Sequence, residues 1–418
     1  MTPTDTIRPV NVGLIGAGAI ARAHAIAYAM APRYGSTGVP PVRLRLLAET
    51  DAGRAGQACD KLGFEGWTTD WRELVASRDV DLVSIVTPNF LHAEMAIAAT
   101  EAGKHVFCEK PLASSAADAE RMWRAAEAAG VVHGVNLTYR KVPAIRFVAR
   151  LIAEGRIGAI RHFRASYIQD WANDSRIPRS WKFDAGLSGG GAVSGVGTHV
   201  IDLARMLVGE IERIVATTEI WIRERPQPIS ASTFDKIEGE RETAPVDNDD
   251  SAYFLARFTN GAIGTFDISR CAPGRKNHLS FEIHGEHGSI AYDYEQPNEV
   301  RLYLGDDDAT VGGFRTILIG PAQDTGALLA YPGIPVGFVD TMALQVCDVL
   351  SAIAGGPPMT PDFYDGWRAQ VVVDAVAASA ERGWVMSSSR VAIRAARSED
   401  MNAFESFQQR AERSNHAI

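Results

Sequence analysis

Cysteine is scarce in this chain, with four in 418 residues. The four are Cys59, Cys108, Cys271 and Cys347, and no two of them have C-x-x-C spacing. A disulfide framework or a cysteine-based zinc site needs paired, closely spaced cysteines, so the pattern argues against both, and no metal site is predicted. Scattered thiols are typical of a reducing compartment, and we therefore expect a cytoplasmic protein.

A basic excess and long apolar runs are also lacking. The chain has 42 Lys and Arg against 51 Asp and Glu, a formal net charge of −9. Because nucleic-acid phosphates are bound by clustered Lys and Arg, no nucleic-acid partner is predicted. No apolar run reaches the roughly eighteen residues of a membrane span. The first ten residues, MTPTDTIRPV, lack the basic start and apolar core of a signal peptide. We expect no membrane association.

The first 140 residues alternate between strand-like and helix-like patterns. Strands are predicted at 10–15, 44–48, 82–86, 105–108 and 131–135, and helices at 53–62, 71–77, 91–102 and 114–129. Such alternation is typical of a doubly wound parallel sheet, the Rossmann fold. The chain is long enough for a second domain.

The second half has a different pattern. Strands are predicted at 251–258, 262–269, 279–284, 289–294 and 299–304, helices at 337–354 and 364–381, and long loops at 223–246 and 304–331. Hairpin turns such as Asn260-Gly261 indicate a large, mainly antiparallel sheet in an α+β domain. We predict a Rossmann domain at 1–141, an α+β domain at 142–390 and a tail at 391–418.

The run VNVGLIGAGAIA, residues 10–21, has the spacing of a G-x-G-x-x-G/A fingerprint. Gly16 would allow a tight turn, and Gly18 would let the backbone approach a pyrophosphate at the start of the next helix. Ala21, at the third small-residue position, would let that helix pack closely on its strand, and Ala19 and Ile20 join the predicted cofactor-binding residues. Taken alone the fingerprint is weak, because such turns also occur without a nucleotide.

Glu49 follows the second predicted strand, where a carboxylate can accept hydrogen bonds from the ribose hydroxyls of a dinucleotide. It lies about thirty residues after Gly18, more than the usual roughly twenty. The Gly- and Pro-rich segment 32–41 predicts a loop insertion that accounts for the difference. Because a carboxylate repels a 2′-phosphate, NAD is favoured over NADP. The alternative is a solvated residue at a strand end.

Two further strand ends carry polar side chains, and ligands of doubly wound sheets bind at this edge. Thr87, Pro88 and Asn89 follow one strand, and Glu109 and Lys110 follow the next. A lysine in such a cleft can hydrogen-bond a substrate hydroxyl and ease its deprotonation. The alternative is an ordinary surface lysine.

The chain resembles the Gfo/Idh/MocA oxidoreductases, a family named for glucose–fructose oxidoreductase and inositol dehydrogenase. The resemblance rests on VGLIGAGAIARAHA, DVDLVSIVTPNFLHAEMAIAATEAGKHVFCEKPLA and SGGGAVSGVGTHVIDLARMLVG, and reaches to about residue 294 with weaker similarity beyond. Within the family, the runs at 181–185 and 274–277 are most similar to the levoglucosan and inositol dehydrogenase type.

The resemblance implies roles for particular residues. Lys110 matches the catalytic lysine of the family, and His199 matches its histidine partner, which would take the proton as hydride leaves the same carbon. Glu109 and His92 join the predicted cofactor-binding set. The resemblance also implies a homo-oligomer, either a dimer or a tetramer. The alternative for His199 is a helix-capping or core histidine.

Substrate contacts are predicted from polar groups that stand beside aromatic rings, a mixture that suits a polyol. The candidates are Asn136, Tyr139, Asp170, Trp171, Trp181, Lys182 and Thr198. Any single aromatic among them could instead be ordinary core. Gly189, Gly190 and Gly191 are interpreted as positions of close backbone packing, because no strand–helix crossover surrounds them.

Gly195 departs from the family pattern, which has an aspartate four residues before the histidine. Three explanations are open: another carboxylate such as Asp170, Asp184 or Asp202 substitutes, a bulkier substrate or water fills the space, or the chemistry has changed. We favour a compensated or enlarged site. The leading hypothesis is an NAD-dependent dehydrogenase that oxidises a secondary hydroxyl of a sugar, anhydrosugar, glycoside or cyclitol. The alternatives are an NAD-retaining glycosidase and a non-catalytic sugar or NAD sensor.

Overall fold

The computed structural model describes most of the chain. The described residues are 8–34, 38–228, 235–239, 241–305, 308, 310–323, 334, 336–382 and 385–386. The predicted tail at 391–418 lies outside them. Within them, no helix has the length and apolar content that a membrane crossing requires.

A six-stranded parallel sheet forms the N-terminal half, as the alternating pattern predicts. Its strands, in the spatial order β3-β2-β1-β4-β5-β6, are β1 Val10–Ile15, β2 Val42–Ala48, β3 Gly66–Thr68, β4 Leu82–Ile85, β5 His105–Cys108 and β6 His133–Val135. The helices are α1 Ala19–Tyr34, α2 Ala52–Leu62, α3 Trp71–Ala76, α4 His92–Glu101 and α5 Ala116–Ala129. The predicted doubly wound parallel sheet is confirmed, and all four residues of β4 are buried, as expected for a strand with both faces covered.

A nine-stranded sheet forms the second half. Its strands are β7 Ile160–Ile168, β8 Ile211–Glu219, β11 Ser251–Phe258, β12 Ile263–Ser269, β13 His278–Gly285, β14 Gly288–Asp293, β15 Glu299–Leu304, β16 Arg315–Leu318 and β17 Val385–Met386. The order is β16-β15-β14-β13-β7-β12-β11-β8-β17, and β7 with β12 is the parallel pair. The predicted large, mainly antiparallel sheet is therefore confirmed. A separate ribbon pairs β9 Glu224–Pro226 with β10 Thr243–Pro245.

The described residues of the second half also form five α-helices. They are α6 Pro143–Ala153, α7 Ala185–Ser188, α8 Thr198–Leu207, α9 Phe338–Ile353 and α10 Phe363–Arg382. A π-helical segment at Val193–Gly197 runs directly into α8. Single π turns inside helices are frequent at functional sites. Here the segment brings Gly195 to the edge of the first domain.

Three sequence predictions need correction. Helix α1 continues through Pro32 to Tyr34, so the first part of the predicted loop insertion is helical. The predicted loop at 223–246 contains the β9–β10 ribbon, and the predicted loop at 304–331 contains β16. These short polar strands have little hydrophobic alternation, and their partners rather than their own pattern determine them.

Helix α9 packs on the first domain although it lies late in the chain. Its buried residues Met342, Val346 and Leu350 share a core cluster with Tyr28 of α1 and Phe107 of β5. Helix α10 then packs against α5, where Trp367 stacks on Trp123 with ring centroids 5.0 Å apart. The predicted division at residue 141 therefore leaves out a helix that belongs to the first domain by packing.

Leu350 tests whether α9 stabilises the first domain. We expect Leu350→Ala to lower the free energy of unfolding by about 2–5 kcal/mol, because the side chain is fully buried in that core cluster. Leu344→Ala on the same helix, where the side chain is only partly buried, is the matched control. Denaturant unfolding measures both, and equal losses would contradict this packing.

Candidate active site

A cavity of about 400 Å³ lies between the carboxyl edge of the parallel sheet and the second domain. Of the predicted site residues, the cavity wall contains Asn89, Lys110, Trp171, Trp181 and Lys182. It also contains Tyr167, Gln169, Ser188, Ser194, Gly195, Arg270 and Lys276. Residues from four strand ends and from the π-helical segment therefore converge on one polar cleft.

Lys110 follows β5 and connects the two domains. Its Nζ donates a hydrogen bond to the carbonyl oxygen of Gly195 over 2.8 Å. Burial lowers the pKa of Lys110, while the negative charge of Glu109 opposes that shift. The ammonium group is thus held at the cavity wall by a backbone oxygen of the second domain.

Glu109 lies in a buried polar network behind Lys110. Its Oε1 accepts hydrogen bonds from Asn136 over 2.6 Å and lies 2.9 Å from His24 Nε2, and His24 Nδ1 lies 2.9 Å from Ser84 Oγ. Burial is the largest single effect and raises the pKa of Glu109, but the hydrogen bond and charge of His24, the charge of Lys110 and the hydrogen bond from Asn136 together outweigh it, so that the net shift is downward. The network favours a positioning role for Glu109 and Asn136 beneath Lys110. Their predicted ligand contacts stay predictions.

His199 is the second residue of α8, and its side chain is almost fully buried. Its ring packs edge-to-face on Tyr139, with centroids 4.7 Å apart, and lies 5.9 Å from the ring of Tyr167. Burial and the charge of Lys110 lower the pKa of His199 well below its usual value. The imidazole is therefore neutral near pH 7 and can accept a proton. Its Nδ1 has no hydrogen-bond partner within the described part of the chain.

Two tyrosines and two amides form a network along the same wall. The hydroxyl groups of Tyr139 and Tyr167 lie 2.8 Å apart, and Asn277 hydrogen-bonds both of them. Gln169 donates to Asn277 Oδ1 over 2.7 Å. Tyr139 thus lies behind Tyr167 and not in the cavity wall. Thr198 is also buried, and its hydroxyl group donates a hydrogen bond to the carbonyl oxygen of Ser194.

An aromatic wall closes the opposite side of the cavity. Trp171 packs against Phe183, whose ring lies under the guanidinium group of Arg270 at 4.5 Å. Arg270 is buried, pairs with Asp250 over 2.8 Å and donates to the carbonyl of Lys182. Asp250 holds the guanidinium group of Arg270 in place, and that group in turn holds the backbone carbonyl of Lys182 at the cavity wall.

The glycines at 189–191 allow close backbone contact, as predicted. A side chain at Gly189 would collide with the carbonyl of Ser114, and one at Gly191 with the carbonyl of Asp249. Asn89 Nδ2 donates to the carbonyl of Ser188 in the same loop. The loop is therefore packed tightly against the first domain.

None of the three carboxylates considered as replacements at Gly195 contacts His199 or Lys110. Asp202 pairs with Arg140, Asp184 with Arg179, and Asp170 with Lys276. Apart from its chain neighbours and the backbone of its own helical segment, no atom of the described residues lies within 4 Å of the place that a Cβ would take at Gly195. The expectation of a compensating carboxylate is wrong for these three, and the open space favours an enlarged site.

The first turn of the parallel sheet fits a dinucleotide. Gly16 has φ of 105°, which favours glycine. In the part of the chain that the structure describes, nothing lies within 4 Å of a Cβ position at Gly18, so a pyrophosphate can approach there. Ala19 and Ile20 begin α1, whose N-terminal N–H groups favour an anion. Glu49 follows β2, and its carboxylate accepts a hydrogen bond from the Ala17 amide over 3.2 Å.

The remaining predicted cofactor residues lie after β4. Thr87 and Pro88 precede a short 3₁₀ turn, and His92 begins α4. Both ring nitrogens of His92 lie within hydrogen-bond distance of backbone carbonyls, those of Thr87 and Pro111. His92 is thus occupied by the backbone on either side of the cleft, and this favours positioning over direct contact with a cofactor.

Sequence reasoning missed several residues of the cleft. Arg270, Lys276 and Ser194 line it, while Asn248 and Asp250 support it from behind. The run Asp247-Asn248-Asp249-Asp250 was a usable signal, because four consecutive polar residues at the start of a buried strand need partners inside the protein.

Two family models match the chain. The oxidoreductase family model with an NAD-binding Rossmann fold matches residues 10–137, and the GFO/IDH/MocA C-terminal domain model matches residues 145–291. The chain belongs to the Gfo/Idh/MocA family. This membership confirms the resemblance drawn from the sequence and identifies the chain as an oxidoreductase with NAD as its cofactor.

Among its relatives in the Gfo/Idh/MocA family are enzymes that act on ring polyols. The chain is 42% identical over 381 residues to levoglucosan dehydrogenase of Pseudarthrobacter phenanthrenivorans, covering 90% of this chain and 97% of the relative. It is 28% identical over 305 residues to myo-inositol 2-dehydrogenase of Thermotoga maritima, covering 72% and 80%. A solved levoglucosan dehydrogenase complex with NADH and levoglucosan superimposes with a TM-score of 0.85 at 40% identity, covering 91% of this chain and 99% of that one.

Glu49 is expected to set the preference for NAD over NADP. Arg54 Nη2 lies 3.1 Å from the Glu49 carboxylate, so Glu49→Ala removes a repulsive charge and releases an arginine that can pair with a 2′-phosphate. We expect the ratio of NAD to NADP affinity to fall at least about tenfold. Equilibrium binding measures the ratio, with Glu101→Ala, an exposed carboxylate on α4, as the control. An unchanged ratio would remove the role assigned to Glu49.

Proposed function

We propose that this chain is an NAD-dependent dehydrogenase that oxidises a secondary hydroxyl group of a sugar, anhydrosugar, glycoside or cyclitol. The observation that carries the proposal is the Lys110 ammonium group at the wall of a polar cleft, next to a buried neutral histidine. When bound, NAD⁺ accepts the hydride from the hydroxyl-bearing carbon. The chain's own residues have to position the hydroxyl group and move its proton.

Lys110 is assigned the role of orienting the reacting hydroxyl group. An ammonium donor that faces a hydroxyl oxygen stabilises the negative charge that develops as the proton leaves. The bond from Nζ to the Gly195 carbonyl uses one of its three donors and leaves the others for a substrate. The Glu109 network behind it keeps a negative charge near the ammonium group.

His199 is assigned the role of proton acceptor. Its lowered pKa keeps the imidazole neutral, so that a ring nitrogen can take the hydroxyl proton. The edge-to-face contact with Tyr139 holds the ring in place. After oxidation the imidazolium ion lies close to Lys110 in a buried site, and this repulsion promotes release of the proton.

A polyol is the substrate class that the remaining wall suits. Trp171 and Trp181 offer flat apolar faces for ring C–H groups, and Gln169 offers a directed polar partner. Levoglucosan and myo-inositol, named for the relatives above, are compounds with hydroxyl groups on a ring. The cavity of about 400 Å³ has room for one such ring.

Lys110→Met tests the proposed chemistry while keeping a side chain of similar length. We expect turnover of an active polyol to fall about 100- to 10,000-fold, with NAD affinity little changed. A panel of sugars, anhydrosugars, glycosides and cyclitols is screened for NADH formation, and Lys61→Met, an exposed lysine on α2, is the control. Turnover close to wild type in Lys110→Met would refute the role of Lys110.

We further propose that the enzyme works in the cytoplasm as a homo-oligomer. The four cysteines are free thiols, which supports a reducing compartment. Tyr253, Leu255 and Ile263 are 44–48% exposed on the open face of the nine-stranded sheet. Large apolar side chains grouped on one face of a sheet favour burial against another protein, and we assign a second copy of this chain.

Leu255→Lys tests the oligomer. We expect the particle mass in sedimentation to fall from a multiple of the 45.1 kDa chain to that of one chain, because the charge would be buried in the interface. Trp67→Lys, an equally exposed apolar residue on β3, should leave the mass unchanged. A wild-type protein that sediments as a monomer would contradict the proposal.

A further inference from the structure

A small core cluster lies beneath the aromatic wall of the cleft and is separate from the larger core of the nine-stranded sheet. Its buried members are Ala172, Ile177, Phe183 and Val246. Trp171, which lines the cleft, packs on this cluster, and its ring centroid lies 5.9 Å from that of Phe183. The position of the aromatic wall therefore depends on the groups that hold this cluster together.

Arg225 of strand β9 is buried in contact with the cluster. Its side chain is completely shielded from solvent, and its guanidinium carbon lies 4.1 Å from the centre of the Phe183 ring. A guanidinium group that faces an aromatic ring at this distance is attracted by the negative face of the ring. Arg225 is thus a charged side chain inside the core that supports the cleft.

The same guanidinium group bonds the backbone of residues 169–183, here called the wall segment. Nη2 donates to the carbonyl oxygen of Ala172 over 2.5 Å, and Nη1 donates to those of Asp174 over 2.9 Å and Ile177 over 3.5 Å. Apart from the 3₁₀ turn at its end, the wall segment has no helix or strand. Its backbone groups therefore need partners elsewhere, and Arg225 supplies three of these bonds.

The rest of the β9–β10 ribbon bonds the next part of the wall segment. The amide of Arg179 donates to the carbonyl of Pro226 over 2.9 Å, and its Nε donates to the carbonyl of Pro245 over 2.9 Å. Trp181, the second tryptophan of the cleft wall, follows two residues later. No residue of β9 or β10 is among those that line the cavity. The ribbon therefore supports both tryptophans from behind.

A buried arginine is an unfavourable way to fill a core. Burial lowers the pKa of Arg225 to about 10, and the charge of Asp250 opposes this shift. An apolar side chain of similar volume would fill the same space without removing a charge from water. It could not donate to three carbonyl groups, however, whereas the planar guanidinium group carries five N–H donors. Arg225 is therefore better explained by the backbone it holds than by packing.

We propose that Arg225 is a positioning residue for the substrate, because its bonds to the wall segment fix Trp171 and Trp181 where the ring of a polyol packs. The inference rests on the proposed dehydrogenase function, in which these tryptophans offer apolar faces to the substrate. Lys110 is held from another direction, by the Gly195 carbonyl. Loss of the Arg225 bonds therefore weakens polyol binding far more than it slows the chemical step.

Arg225→Met removes the donors and keeps an apolar side chain of similar length. We expect KM for an active polyol to rise at least about tenfold and kcat to change less than about threefold, because the lost contacts serve binding and not chemistry. Steady-state kinetics at saturating NAD measure both constants, and equilibrium binding should give an unchanged NAD affinity. Arg223→Met, which removes an exposed arginine two residues earlier, is the matched control and should leave KM unchanged.

Arg225→Lys is the second variant, and it keeps the positive charge without the planar fork of donors. We expect its KM to lie between those of the wild type and Arg225→Met, because an ammonium group can bond only part of the three carbonyls. A KM equal to that of the wild type would show that the fork is not needed. A KM equal to that of Arg225→Met would show that the carbonyl bonds are not the cause. Either result overturns the inference, and the comparison with the wild type stands even if Arg225→Met does not fold.

The kinetic pattern separates positioning from general damage to the structure. A fall in kcat as large as the rise in KM, or a loss of NAD affinity in the same variant, would show that Arg225 supports the whole fold, and this overturns the inference. An unchanged KM in Arg225→Met overturns it as well. The dehydrogenase proposal stands in each of these cases, because the wild-type protein still oxidises the polyol.

Binding measurements test Arg225 independently of turnover. If the wild-type protein oxidises no polyol, the dehydrogenase proposal fails, and calorimetric binding of levoglucosan and myo-inositol in the presence of NADH takes the place of KM. Binding that weakens at least about tenfold in Arg225→Met, but not in Arg223→Met, supports the positioning role. Equal binding in wild type and Arg225→Met, or no binding to the wild type, overturns it.

Discussion

The hydrogen bond between Lys110 Nζ and the Gly195 carbonyl joins the two domains at the point where chemistry is expected. Lys110 follows a strand of the parallel sheet, and Gly195 lies in the π-helical segment before α8. The position of the Lys110 side chain therefore depends on a backbone atom of the second domain. Helix α10 maintains this arrangement, because Trp367 packs on α5 of the first domain while Val372 and Val376 are buried in the core of the second. The cleft therefore depends on interdomain packing as much as on its own residues.

Burial gives this small set of groups their electrostatic character. Glu109 stays ionised because His24 and Asn136 hydrogen-bond it in a buried site, and its charge offsets part of the desolvation of Lys110. His199 has no such carboxylate, so the same burial keeps it neutral. Glu109 is therefore ionised and His199 neutral in the same buried region, because the two side chains have different hydrogen-bond partners. Removing His24 would thus disturb Lys110 although the two do not touch.

Much of the N-terminal domain could be predicted from local pattern, because the strands of a parallel sheet are short apolar runs and helices α2, α3 and α5 have their own N-terminal caps. The strand-end rule also brought Asn89 and Lys110 to one edge, since parallel strands end on the same side. The return of α9 to α1 could not be predicted, because an amphipathic helix does not specify which sheet it covers. The partners of Arg270 and Asn277 were equally hidden, since hydrogen bonds between residues far apart in the chain leave no periodic signal; the polar run at 247–250 indicated only that its residues need partners inside the protein.

Gly195 has no side chain that could stabilise a positive charge on His199. A proton taken by His199 creates an imidazolium ion beside Lys110, and among the described residues no carboxylate lies in hydrogen-bond contact with that ring to stabilise it. Asp202, on the same helix, is committed to Arg140. In the proposed reaction the missing negative charge has to come from the ligand or the proton has to leave quickly. The ammonium group of Lys110 disfavours a positive charge on the ring, so the proton has to pass on before the next turnover, and burial keeps the histidine neutral between turnovers.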